Sequence, residues 1–328
     1  MKRYLPLFAS AALSAALPLS AQEAKTYPAP SEIVAAAKVD EWVAIESSDL
    51  LVMDLAPDSK GKPRRVVIQF IPAPFSQGWV SNIRKLAGAH WWDGTSINRV
   101  QDNYVVQWGD ATEKKALPES LAVVSEMAYE ADEPTNFTAA GLPLLYQAKV
   151  SSPSPTRWRG HIVLRDNPTW IYGSYYKGFP YAGKMDPHFS KIWPIHCYGM
   201  IGVGRNLSPD TGSGAELYTV IGHAPRHLDR NIALVGRVIE GIEHLSSLPR
   251  GTGALGFYEK EEERVPILSV RLGNEATDVP AFEYLSTDSD SFAAYANARA
   301  NRRDPFFNVP AGGADICNIP VPIRRKAK

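Results

Sequence analysis

Cysteine is scarce in this chain: Cys197 and Cys317 are the only two in 328 residues. That excludes a disulfide-dense scaffold and leaves no cysteine cluster to ligate a metal. An excess of one charge is missing as well, Lys plus Arg equalling Asp plus Glu at 35 each. No overall field therefore recruits nucleic acid or an anionic membrane. Beyond the first 21 residues no apolar run reaches membrane length. Those residues hold Lys2-Arg3, an apolar stretch from Leu5 to Leu19 and Ser20-Ala21 before Gln22, the pattern of a secretory signal peptide. Pro6, Pro18 and the shortness of the stretch argue against a retained anchor, and no cysteine near the cut invites a lipid. The expectation is an exported protein, periplasmic or secreted, with no membrane span once the signal is removed. In that compartment Cys197 and Cys317 can form a disulfide; two buried thiols that never meet are the other reading.

Several chemistries are missing their motifs. His223-x3-His227 has helical ligand spacing, but Pro225 lies between the two and no cysteine or carboxylate cluster accompanies them. Ser213, in Gly212-Ser213-Gly214-Ala215, lacks the Gly-x-Ser-x-Gly of a nucleophile elbow. Gly202-x-Gly204 is too short for a dinucleotide loop. Neither a metal nor a cofactor is expected.

What is present is mostly strand. Leu50–Leu55 and Arg64–Ile71, joined by the turn-forming Pro57-Asp58-Ser59-Lys60-Gly61-Lys62-Pro63, predict a hairpin. Trp79, Ile83 and Leu86 recur at helical spacing, with Ser76 placed to cap that helix and Gly88 to end it. Ile97–Asp110 alternates with period two and breaks at Asp102-Asn103, predicting two short strands. Further strands are expected at Glu216–Ile221, Ile232–Val238 and Val265–Leu272, and a short helix lined by Ile242, Leu245 and Leu248. Residues 22–49 read as an N-terminal extension with a helix from Ser31 to Lys38 capped by Ser31, and residues 273–328 as a C-terminal extension with a helix from Ser291 to Arg302. Between 111 and 195 the period is lost among prolines, which marks a long insertion with one strand at Arg159–Leu164. Its aromatics, Trp158, Trp170, Tyr172, Tyr175, Tyr176, Phe179, Tyr181 and Trp193, are expected to pack on the rest of the fold, since soluble proteins rarely expose so many rings.

Arg99 stands among β-branched residues in a strand, where a guanidinium is costly to bury and is expected to face a groove. The spacing Arg99-x4-Tyr104-x2-Gln107-x-Gly109-Asp110 resembles the central signature of the cyclophilins, the peptidyl-prolyl cis-trans isomerases. Trp92-Asp93-Gly94-Thr95 lies upstream where the family has Tyr-x-Gly. A second block, Gly199–Arg205, Glu216–Val220, His227-Leu228-Asp229 and Val235–Gly241, follows in the family's order. The resemblance covers residues 50–110 and 196–272. It implies an all-β fold, a closed antiparallel barrel capped by two helices, here spanning 50–272 with the insertion inside it.

It also implies roles. Arg99 would be the catalytic arginine and Gln107 the glutamine that orients the substrate carbonyl. Tyr104, Val105, Tyr218 and Leu228 would line the proline pocket, and Gly204 and Arg205 would fall where backbone pairs with the peptide. Glu216 stands where a glutamine is usual, His227 where animal members carry a tryptophan, and Ile232 in place of a pocket histidine. The implied partners are proline-containing polypeptides among exported proteins. A non-catalytic peptide-binding or chaperone module of the cell envelope is the alternative.

Overall fold

The computed structural model describes residues 27–132, 171–184 and 191–327. The segment read as a signal peptide, the expected strand at Arg159–Leu164, Trp158 and Trp170 all lie outside the described residues.

Helix α1 (Pro30–Ala35) and strand β1 (Trp42–Ile45) lead into a hairpin of β2 (Leu50–Leu55) and β3 (Arg64–Phe70). Helix α2 (Gln77–Gly88) and strands β4 (Ser96–Val100) and β5 (Val105–Gly109) follow. The insertion supplies β6 (Ala131–Asp132), β7 (Ile171–Tyr176), β8 (Phe179–Lys184) and β9 (Lys191–Pro194). Then come β10 (Met200–Val203), β11 (Leu217–Val220), β12 (Leu234–Glu240), α3 (Glu243–Ser246) and β13 (Val265–Leu272). The chain finishes with β14 (Phe282–Leu285), α4 (Asp290–Ala300) and β15 (Ile323–Arg325).

Eight strands close a barrel in the order β10-β11-β5-β4-β13-β2-β3-β12, with β12 paired back to β10 and every pairing antiparallel. Closure leaves no free sheet edge. Alternation divides each strand between two faces. Leu51, Met53, Val66, Ile68, Val106, Trp108 and Leu217 belong to the main core, whereas Val105, Tyr218 and Val220 form a separate outer cluster. Trp79, Ile83 and Leu86 of α2 are fully buried in the main core, as their spacing requires.

Local details differ from expectation. Helix α1 starts one residue before Ser31, and the cap is made by the Glu32 carboxylate, which accepts the Ala29 N–H at 2.7 Å. Ser76, at φ 51°, makes no side-chain cap to α2. Gly88 is the last helical residue, and Ala89 closes α2 in an ordinary right-handed conformation. Helix α3 is a single turn that contains only Leu245 of the three expected residues; Ile242 caps its start, and Leu248, also buried, lies past its end.

The described insertion packs on the barrel. Its first part wraps α2: Asn82 exchanges hydrogen bonds with Ala122, donating at 2.8 Å and accepting at 2.9 Å, and Tyr129 stacks on Trp79 with centroids 5.4 Å apart. Its later part forms a four-stranded sheet, β6-β9-β8-β7, whose Tyr175, Phe179, Tyr181 and Trp193 are buried in the main core. The two extensions meet each other: β14 lies between β1 and β15. Cys197 and Cys317 are bridged, with sulfurs 2.02 Å apart, so the tail is tied to the chain just ahead of β10.

Candidate active site

The outer face of β5 and β11 is where the chemistry collects. In β5, Val106 and Trp108 point into the core, so Val105 and Gln107 point out. Pairing sets Tyr218 of β11 opposite Gln107 and Val220 opposite Val105. Strict alternation would put Tyr104 with Val106; instead Asn103, at φ 50°, turns the chain and Tyr104 packs against the Val105 cluster. Leu228 and Ile232, from the loop before β12, complete an apolar cluster with Tyr104, Val105, Tyr218 and Val220.

Arg99 reaches this face through an irregularity. Ile97 pairs with Trp108 but Arg99 pairs with Gln107, so β4 spends two residues where β5 spends one. Such a bulge re-aims a side chain. Ile97 stays in the core while Arg99, two residues on, stands outside beside Gln107. Its Nη1 donates to Gln107 Oε1 at 3.1 Å, its Nε to the Leu255 carbonyl at 2.8 Å, and its Nη2 to Gln101 Oε1. The guanidinium carbon lies 5.8 Å from the Tyr104 ring centre and 5.3 Å from that of Phe257. Among the described residues no carboxylate neutralises it: burial lowers its pKa, and Tyr104 and Tyr218 work the other way. An arginine so placed is a fixed, charged, half-buried donor fork beside an apolar cluster.

Behind the pocket wall is a buried relay. The carboxylate of Asp229 accepts the His196 backbone N–H at 3.0 Å and faces His196 Nδ1 at 2.9 Å, while His196 Nε2 lies 2.9 Å from the Tyr218 hydroxyl. Arg226 holds the other Asp229 oxygen at 2.6 Å. Burial lowers the His196 pKa, which favours a neutral ring with its proton on Nδ1, accepting from Tyr218 at Nε2. Desolvation pushes the Tyr218 hydroxyl well up, so it stays a donor. Gly202, opposite Tyr218 on β10, makes this ring position available: a Cβ there would fall 2.3 Å from the phenolic oxygen.

The structure thus brings together Arg99, Gln107, Tyr104, Val105, Tyr218 and Leu228. His227 is exposed and stacks on Tyr104 with centroids 6.3 Å apart. Gly204 lies beside Glu216, its N–H donating to the Glu216 carbonyl at 2.8 Å. The Arg205 guanidinium points elsewhere, onto the carbonyls of Asn231 and Asn206. His196, Asp229, Leu255 and Phe257 join the site without having been singled out by sequence. The signal available for His196 was its setting among Pro194, Ile195 and Cys197, which favours burial; its partners are 22 and 33 positions away and show no spacing. Among the described residues no group of three or more His, Cys, Asp or Glu side chains is placed to hold a metal ion, and no helix is long and apolar enough to cross a membrane.

The model of the family described as cyclophilin type peptidyl-prolyl cis-trans isomerase/CLD matches residues 77–272. Among solved structures, cyclophilin AquaCyp293 from Hirschia baltica aligns with TM-score 0.61 at 17% identity, over 88% of this chain and 95% of that one, a likeness of fold. A cyclophilin-type peptidyl-prolyl isomerase of Cryptosporidium parvum, crystallised in the presence of the dipeptide Ala-Pro, aligns at 9% identity over 67% of this chain and 98% of that one. Its TM-score of 0.36 is too low to argue from. No curated protein matches the sequence.

Proposed function

The chain belongs to the cyclophilin-type peptidyl-prolyl cis-trans isomerases, and from that premise we propose that Arg99 and Gln107 catalyse rotation about X–Pro bonds on the outer face of β5 and β11. The observation that carries this reading is the Arg99 fork, held by Leu255 and Gln107 beside the Tyr104–Val105–Tyr218–Leu228 pocket.

The chemistry asks for no more than this. Rotation faces a barrier of about 18–20 kcal/mol because the amide is resonance-stabilised. No bond breaks, so the catalyst needs only to bind the twisted amide better than either planar isomer. As the amide twists, the prolyl nitrogen regains its lone pair, and a guanidinium donor can then hydrogen-bond to it. Before the twist that lone pair is delocalised, so the interaction belongs to the transition state. The apolar pocket takes the pyrrolidine ring and excludes water, which strengthens the bond. Gln107 contributes its amide, with Oε1 held toward Arg99, to fix the neighbouring substrate carbonyl.

The substrates in this reading are X–Pro bonds of exported proteins. Support comes from the N-terminal signal pattern and from the bridged Cys197 and Cys317, which suits an oxidising compartment. Mass spectrometry of chain recovered from the envelope or medium should give a start near Gln22; a cytoplasmic chain retaining Met1 contradicts export.

Protease-free exchange NMR on a short Ala-Pro peptide tests the activity. Catalytic amounts of protein should raise the cis–trans exchange rate above its uncatalysed timescale of tens of seconds or more. Peptide binding without acceleration would leave a binding module instead.

A further inference from the structure

Glu216 sits immediately before β11, with its carboxyl packed over the end of β5. A Cβ on Gly109 would fall 1.8 Å from Glu216 Oε1, so only glycine leaves room for the acid there. Its polar neighbours are the Gln107 side chain, the Asp110 backbone N–H and the Asn98 side chain, each favouring the ionised form. The charged groups around it are few. Asp110, at the end of β5, opposes ionisation; Arg99, on β4, is reached only through Gln107; Arg205, after β10, is turned onto Asn231 and Asn206. Among the described residues no cation is paired with the carboxyl.

Gln107 lies between this acid and the arginine. Its Oε1 accepts from Arg99 Nη1 at 3.1 Å, so its amide nitrogen faces the other way, toward Glu216 and Gly204. Ionised Glu216 is acceptor-only and draws the Gln107 NH2, which leaves Oε1 for Arg99. A protonated Glu216 gains an O–H donor that competes for the same Oε1, or turns the amide so that its NH2 faces the guanidinium. Asn98, whose NH2 serves the ionised acid, has a buried Oδ1 with no hydrogen-bond partner among the described residues, and a flip of its amide would turn that acceptor toward the proton.

We propose that Glu216 is a positioning residue for the isomerase: its carboxylate fixes the Gln107 amide, and through it the aim of Arg99, and protonation releases that arrangement. This rests on the reading of Arg99 and Gln107 as the catalytic pair. Desolvation pushes the Glu216 pKa up to about 7, which places the change within an accessible pH range.

Two readouts test it on the full chain and on Glu216→Gln, which keeps the shape and removes the proton. The Gln107 side-chain amide resonances should show one inflection near pH 7 in the parent and none in Glu216→Gln. In exchange NMR on the Ala-Pro peptide, the parent's kcat/KM should fall up to about tenfold from pH 8 to pH 6, following the ionised fraction of a group titrating near 7. Glu216→Gln should be flat over that range. A Gln107 amide that does not titrate, or matching rate profiles for parent and variant, overturns the proposal. Absence of isomerisation at every pH overturns the functional reading instead, and the amide resonances then decide the coupling by themselves.

Discussion

At the scale of single residues, the site depends on groups whose partners come from other strands. The resemblance grouped Tyr218 with Tyr104, Val105 and Leu228, which do cluster; the hydrogen bond that fixes its ring was not legible, because His196 and Asp229 come from other parts of the chain. Tyr218→Phe keeps the ring and deletes the hydroxyl. The buried His196 Nε2 then loses its donor, and an unsatisfied buried group costs about 1–3 kcal/mol. The unfolding free energy from urea titration should drop by that amount, seen as a lower midpoint at unchanged slope. An unchanged midpoint would show that the relay contributes nothing.

At the scale of elements, the barrel strands were readable because each has one face in the core. The expected strands at Leu50–Leu55 and Val265–Leu272 match β2 and β13, and the period-two alternation of Ile97–Asp110 gave β5 nearly to the residue. The bulge in β4 was not readable: a strict alternation keeps Ile97 and Arg99 on one face, and only the pairing with Trp108 and Gln107 shows them parted. The insertion and the tail were opaque for a related reason. Their hydrophobic residues answer to one another and to the barrel rather than to a local period: Tyr175 packs on Phe292 with centroids 5.0 Å apart and donates to the Ile319 carbonyl at 2.8 Å. The bridge between Cys197 and Cys317 locks these same elements across 120 residues. Thiol titration of denatured, unreduced protein should find no thiol, and two thiols would contradict the bridge. Because the closed loop is long, reduction should destabilise the fold by about 4–5 kcal/mol in the chain-entropy model.

At the scale of the whole molecule, the balanced charge leaves stability to respond to individual buried groups. Glu216 is the clearest of them. Its pKa is raised by desolvation from the usual 4.5 to about 7, so the folded state holds this proton more tightly than the unfolded chain does. Between those values rising pH removes stability; the loss is absent below the lower value and complete above the higher one. Glu216→Gln carries no such term. The stability difference between parent and variant should therefore change by on the order of 2–3 kcal/mol from pH 4 to pH 8, the parent faring worse at the alkaline end. A difference independent of pH would place the carboxyl in water.

The most direct test of the catalytic assignment compares the parent with Arg99→Ala on the Ala-Pro peptide, with thermal unfolding recorded for both. Loss of one transition-state donor should lower kcat/KM by about 10²-fold or more while the unfolding temperature stays near the parent's. Arg99→Lys should recover little, since a point charge lacks the planar fork. An Arg99→Ala protein that unfolds like the parent and isomerises at the parent's rate would contradict the assignment.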